Sequence, residues 1–150
     1  MYGAADHKFV PAFAWGEPAA QLAKRWIAET REAWRPRFIK IGVNRGPLDE
    51  IDRKLVQAAA ITSRETGLTI ASHTGDGAAA VEQLEIVTAE RVSPAKFVWV
   101  HAQNERDHGL HEKVARQGAW VEFDGIGPET AEFLSSAIVS WQRKGCCGER

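Results

Sequence analysis

Four short apolar runs punctuate the chain at Arg37–Gly42, Leu68–Ser72, Phe97–Val100 and Trp120–Phe123. Such runs, rich in β-branched and aromatic residues and bounded by turn-forming ones, predict strands. Between them, apolar residues recur every three or four positions, the spacing of an amphipathic helix. Residues 1–15 have little periodicity, and Pro11, Gly16 and Pro18 mark them as loop. Glu17 to Trp34 predicts a helix with Leu22 and Trp26 (or Ala23, Trp26 and Ile27) inward, ended by Pro36, which disfavours helical geometry in the residue before it.

The later helices carry clearer punctuation. Asp49 is a suitable N-cap, Ile51, Leu55, Ala58, Ala59 and Thr62 form an apolar stripe, and Gly67 is placed to end the helix. Thr74–Gly77 turns the chain into a helix carrying Val81, Leu84 or Glu85, and Thr88, which Ser93-Pro94 breaks. Asn104 is a candidate cap for a helix with Leu110 and Val114 inward and Gly118 at its end. Glu129 to Arg143 predicts a last helix with Phe133, Leu134, Ile138 and Trp141 on its apolar face.

Strand, loop and helix in repetition predict an α/β chain with parallel strands and right-handed crossovers. Lys40, His73, His101 and Asp124 fall within or at the ends of successive strands, 33, 28 and 23 positions apart. That approaches the repeat of about 31 residues expected of eight βα units in about 250 residues. In parallel α/β architectures ligands bind at the carboxyl ends of the strands, so four polar groups converge on one rim. With 150 residues the chain holds about four units and cannot close eight. Two expectations stay open, an open α/β sheet or a segment of a longer protein, and a last helix running nearly to Arg150 with no following strand favours the second.

Composition narrows the classes. The chain has 44% apolar and 26% charged residues, as a globular protein does, and its net charge of −1 with no basic patch speaks against nucleic acid or an anionic membrane as partner. No apolar run approaches a membrane span, and the first residues lack a signal-peptide pattern. Localisation stays open, with the cytoplasm as default. Cys146 and Cys147 are adjacent, which suits neither a loop-closing disulfide nor a metal knuckle.

The chemistry centres on Lys40, a single cation in an apolar strand. Removing an ammonium from water is costly, so such a lysine finds a partner or loses its proton; the plain alternative is a side chain that snorkels outward. His73 and His101, each directly after an apolar β-run, suit metal ligation, since neutral imidazole is a common zinc ligand; a helix cap and a loop hydrogen bond are the plain alternatives. Glu105 and Asp107 are either carboxylates that hold the His101 ring or helix N-terminal acids. His108 and His111, beside Asp107 and Glu112, are read as a solvated helix face, and Trp99 and Trp120 as core.

Taken together, Phe38-Ile39-Lys40-Ile41-Gly42, Ala71-Ser72-His73-Thr74, Val100-His101-Ala102-Gln103-Asn104-Glu105-Arg106-Asp107 and Glu122-Phe123-Asp124-Gly125-Ile126-Gly127 resemble the phosphotriesterase family of the amidohydrolase superfamily. The resemblance covers about Lys24 to Arg143. It implies a (β/α)8 TIM-type barrel, incomplete here and running from about strand three or four to helix seven as a single partial domain, with two divalent metal ions, zinc being the expected metal, that hydrolyses phosphotriesters, lactones and related esters. Lys40 is similar to the carboxylated lysine that bridges the metals, and His73 and His101 to the histidines of strands five and six. Tyr2, Asp124 and Gly125 become candidates for lining the pocket of a small ester, lactone or organophosphate substrate, and a homodimer is a possible assembly.

The departures define the alternative. The family's first strand carries His-x-His, and its eighth an aspartate that is both ligand and proton acceptor; neither has a counterpart here, the aspartate being expected beyond Arg150. On that reading no catalytic base lies within the chain. The second hypothesis is accordingly a catalytically incompetent barrel fragment, with no metal or one partly bound ion and an unmodified Lys40 amine.

Overall fold

The computed structural model describes residues 3–32, 35–143 and 145. Two helices, α1 (Ala12–Gly16) and α2 (Ala19–Glu29), precede a regular alternation: β1 (Phe38–Val43), α3 (Glu50–Thr66), β2 (Thr69–Thr74), α4 (Gly77–Ala89), β3 (Phe97–Val100), α5 (His108–Arg116), β4 (Trp120–Val121) and α6 (Ala131–Arg143). The strands form one parallel sheet in the order β1-β2-β3-β4, each pairing with the next in sequence. Unbroken sequential order is what a barrel wall requires.

Helix punctuation follows the chemistry of the termini. Asp49 caps α3 by accepting from the Asp52 N–H at 2.9 Å, and Gly67 closes it at φ 74°, where a side chain would be strained. Asp76 caps α4 through the Ala79 N–H at 2.9 Å and also accepts from the Gly46 N–H of the preceding unit at 3.1 Å.

Burial alternates along the strands. Ile39, Ile41, Val43, Ile70, Phe97 and Trp99 point to the helices and are buried with Val56, Leu84 and Val114 in the main core. Ser72 and Thr74 on that face are satisfied by Gln83 of α4: the Ser72 hydroxyl donates to Gln83 Oε1 at 2.6 Å, and Gln83 Nε2 donates to Thr74 Oγ1 at 3.0 Å. A second cluster (Leu22 and Ala23 with Leu55 and Ala58) fixes α2 on α3. No described helix is long and apolar enough to cross a membrane.

Several expectations need correction. The run around Lys40 is buried on one face alone: Phe38 and Lys40 are exposed while Ile39 and Ile41 are buried. The opening segment contains α1, and the helix expected from Glu17 to Trp34 is confined to Ala19–Glu29 because Pro18 and the turn at Thr30 bound it. In α4 the buried positions are Gly77, Ala79, Ala80, Gln83, Leu84 and Val87; Val81 packs partly buried against the core, and Thr88 is exposed. Asp107, not Asn104, caps α5, because a 3-10 turn spans Ala102–Asn104. The fourth strand is paired only at Trp120 and Val121, and Trp120 is exposed, its indole donating to the Ala95 carbonyl at 3.1 Å. Helix α6 begins at Ala131 rather than Glu129, and Ile138 faces outward while Ala137 is buried. Tyr2, Cys146 and Cys147 lie outside the described residues.

Candidate metal centre

Laterally paired residues of a parallel sheet face the same side, and the register aligns Lys40 with Ala71 and Val98, and Gly42 with His73 and Val100. Lys40 and His73 therefore share the face turned away from the helices, displaced by two residues along the strands. His101, one residue beyond β3, brings its ring to the same place: the His73 and His101 centroids stand 4.6 Å apart, edge to face. Three of the four predicted rim residues are thereby joined, and the fourth, Asp124, completes the group.

His101 is the most constrained of them. It adopts φ 66°, a left-handed conformation that costs a non-glycine residue about 1–2 kcal/mol. Glu122 holds it there from two directions: Oε2 accepts from the His101 N–H at 3.2 Å, and its carbonyl accepts from the Ala102 N–H at 3.0 Å. On the ring, Nδ1 lies 2.5 Å from Asp124 Oδ2. Asp124 is oriented in turn by the side-chain amide of Gln103, and its contact with His101 holds its carboxyl below the usual aspartate range. With Nδ1 engaged, Nε2 is the nitrogen left to meet a ligand, the arrangement by which a carboxylate orients a metal-binding histidine.

Burial also lowers the basicity of the two other groups. It pushes the His73 imidazole down, reinforced by the nearby His101 and Lys40 charges. It pushes the Lys40 ammonium down as well, although the side chain remains largely exposed; Glu122 and Asp124 oppose the shift. Both shifts favour the neutral, electron-pair-bearing forms that metal ligation or carbamate formation needs. His101, Glu122 and Asp124 present ligand atoms all within 4.8 Å of one another. The imidazoles and carboxylates gathered on one rim are a donor set that fits a divalent ion.

The structure decides the alternatives left open around this rim. Glu105 and Asp107 do not touch the His101 ring. Asp107 caps α5 through the Gly109 N–H at 2.7 Å. Glu105 accepts from the Gly77 N–H at the start of α4, and from Arg106 and Asp107. Burial alone would raise its carboxyl, but these donors hold it low. Gly125 turns the chain after Asp124 at φ 63°. The reading of His108 and His111 as a solvated face is wrong for His111, which is fully buried and bonded through Nε2 to the Ala102 carbonyl at 2.8 Å. Glu122 and Gln103 carry roles that pattern reading did not assign. Glu122 had the same signal as Lys40, a charged residue between apolar strand neighbours.

Comparison with known proteins agrees with this fold. A sequence model described as the phosphotriesterase family matches residues 33–140, and the chain belongs to that family. It is 30% identical over 88 residues to the phosphotriesterase homology protein of Escherichia coli (strain K12), covering 59% of this chain and 30% of that protein. It is 29% identical over 139 residues to a phospho-furanose lactonase of Mycoplasmopsis synoviae, covering 82% of this chain and 39% of the relative. The chain spans well under half the length of these relatives. Among solved structures, the Escherichia coli phosphotriesterase homology protein with phosphate in its active site matches with a TM-score of 0.83 at 23% identity, over 92% of this chain and 51% of that one. A Listeria monocytogenes lactonase matches with a TM-score of 0.80 at 24% identity, over 89% and 43%. The fold is part of a phosphotriesterase-like TIM barrel.

Proposed function

We propose that Lys40, His73 and His101 form part of a divalent-metal centre in a hydrolase of esters, lactones or phosphotriesters. The observation that carries this reading is the pairing of the His73 and His101 rings at 4.6 Å on the same open sheet face as Lys40, with His101 Nδ1 already engaged by Asp124. Relatives named as lactonases and as an aryldialkylphosphatase support the substrate classes. Zinc is the metal we expect from the imidazole and carboxylate donors.

When bound, divalent ions supply a water of lowered pKa and polarise the carbonyl or phosphoryl oxygen. His73 and His101 contribute neutral imidazoles, and Asp124 keeps the His101 ring in one orientation. Lys40, in its neutral form, adds its nitrogen lone pair to the carbon of CO2 and releases one proton to solvent; the resulting carbamate is an anionic oxygen donor. Asp124 and Gly125 border the pocket, and Tyr2 is kept as a candidate substrate contact.

Among the described residues this rim offers Lys40, His73 and His101 as ligands. A second reading, a scaffold that holds an ion without turnover, is favoured by that fact. The two separate cleanly in one experiment on the zinc-loaded chain, with a lactone panel and an aryl dialkyl phosphate as substrates. Turnover lost in His73→Ala and His101→Ala establishes the hydrolase. Zinc uptake that depends on both histidines, without turnover above that of the variants, establishes the scaffold. Uptake indifferent to both histidines would overturn the centre itself.

A further inference from the structure

A second cluster shares no residue with this rim. Where the segment before α1 crosses the end of β1 and the start of α3, His7 Nε2 stands 3.2 Å from Asp49 Oδ2 and 3.4 Å from Asp52 Oδ1. Asp52 is only 1% exposed. Its Oδ2 accepts from the Asn44 N–H at 3.0 Å, while its buried Oδ1 makes no hydrogen bond and faces His7. Buried carboxylate oxygens without a donor are costly, which marks the place as needing a cationic partner.

The side chain of Asn44 makes a competing demand on His7 Nε2. Asn44 Oδ1 accepts from the Asp6 N–H at 3.2 Å, which turns the Asn44 Nδ2 donor toward His7 Nε2, also at 3.2 Å. If Nε2 carries a proton it opposes the amide protons of Asn44. If it does not, its lone pair faces two carboxylate oxygens. No tautomer suits all three neighbours. A cation between Nε2, Asp49 Oδ2 and Asp52 Oδ1 suits the lone pairs of all three atoms and requires the Asn44 Nδ2 protons to turn aside.

The dimensions agree. Tetrahedral zinc with bonds of about 2.0–2.2 Å separates its ligand atoms by about 3.3–3.6 Å, close to the 3.2 and 3.4 Å seen here, and all three atoms lie within 4.8 Å of one another. The ring is oriented by edge-on contact with Trp15 at 5.7 Å. The backbone is shaped to deliver it: Ala5, Asp6 and His7 all have positive φ, at 60°, 51° and 61°. Gly3 lies so close that a Cβ there would stand 2.3 Å from Asp52 Oδ1, so the oxygen is walled on that side and open toward His7. One neutral imidazole and two carboxylates balance a divalent charge.

We infer that His7, Asp49 and Asp52 form a second, structural divalent-cation site of the zinc class, which ties the segment before α1 to the end of β1 and the cap of α3. The test is zinc titration of the 150-residue chain against a competing chromophoric chelator, in a Cys146→Ser/Cys147→Ser background so that the thiols do not compete. His73→Ala/His101→Ala is added to remove the rim site. The expected result is retention of about one zinc equivalent. Adding His7→Gln should weaken it at least a hundredfold. Asp49→Asn should do likewise without unfolding the chain, because asparagine is as good an N-cap as aspartate. Circular dichroism verifies that each variant keeps its helices. Absence of the retained equivalent, or its survival in both His7→Gln and Asp49→Asn, would overturn the site. A His7 imidazolium bridging the two carboxylates gives the first of these outcomes. Because the rim histidines are already removed, failure here is separate from failure of the proposed hydrolase centre.

Discussion

The two faces of the sheet are built from the same strands, yet they differ in almost every physical respect. Ile39, Ile41, Ile70, Phe97 and Trp99 point to the helices and are buried. One residue along, Phe38, Lys40, His73, Val98, Val100 and Glu122 point the other way and are exposed or half-buried. Period-two geometry allows this separation, since adjacent residues never compete for one environment. The helix-facing side supplies stability, and the open side is left to carry charge and ligating atoms. Mutations on the two faces should therefore fail in different ways.

The largest effect belongs to the covered face. Trp99→Ala removes a fully buried indole and should cost about 3–5 kcal/mol, read as a shift in the denaturant midpoint; a loss under about 1 kcal/mol would mean that the core is loosely packed. Gln83→Leu breaks the buried link between Ser72 and Thr74 and should cost about 1–3 kcal/mol. Combining it with Ser72→Ala and Thr74→Val should recover much of that loss, because no polar partner is then stranded.

On the open face, Asp124→Asn should leave the melting temperature nearly unchanged while weakening metal affinity about 10–100-fold, the usual consequence of losing a carboxylate behind a ligating histidine. Equal metal affinity in the variant would remove Asp124 from the centre. Lys40→Met should change stability by no more than about 0.5 kcal/mol, as exposed substitutions do. A large loss there would show that Lys40 supports the fold and not the site.

His111 adds a pH-dependent difference to the covered side. Burial among Trp99, Phe123 and Trp141 pushes its imidazole below the ordinary 6.5. The folded state then binds fewer protons than the unfolded one, so its contribution is complete above pH 6.5 and declines as pH falls from there toward the folded pKa. The slope should be at most about 1.4 kcal/mol per pH unit. Comparing urea stability of wild type and His111→Gln between pH 7.5 and 5 isolates it; parallel profiles would show that His111 does not titrate in this window.

Much of this organisation was legible in the sequence. The strand runs, the Asp49 cap, the Gly67 stop and the positions of His73 and His101 at the ends of β2 and β3 all rest on local rules of period and termini, whereas Asp124 lies beyond the short β4. Other features were not. The alternation that exposes Phe38 beside buried Ile39 is invisible when both are apolar. His111 looked solvated because acids and a lysine surround it in sequence, whereas α5 turns it onto Trp99. The Asp52 side chain looked like an ordinary first-turn acid, and its burial against His7 depends on a left-handed turn at Ala5–His7 that no glycine or asparagine signals.

By itself the sequence determined the α/β order, the Asp49 and Gly67 ends of α3 and the family to which residues 33–140 belong, because period, capping and motif spacing act over a few neighbouring residues. Tertiary structure alone decided which side of each strand is covered, that Asp124 and Glu122 hold His101, and that His7 meets Asp52 across 45 positions. Those relations depend on strand register and helix packing, where interaction energies fall off within a few ångströms and chain separation gives no measure of distance.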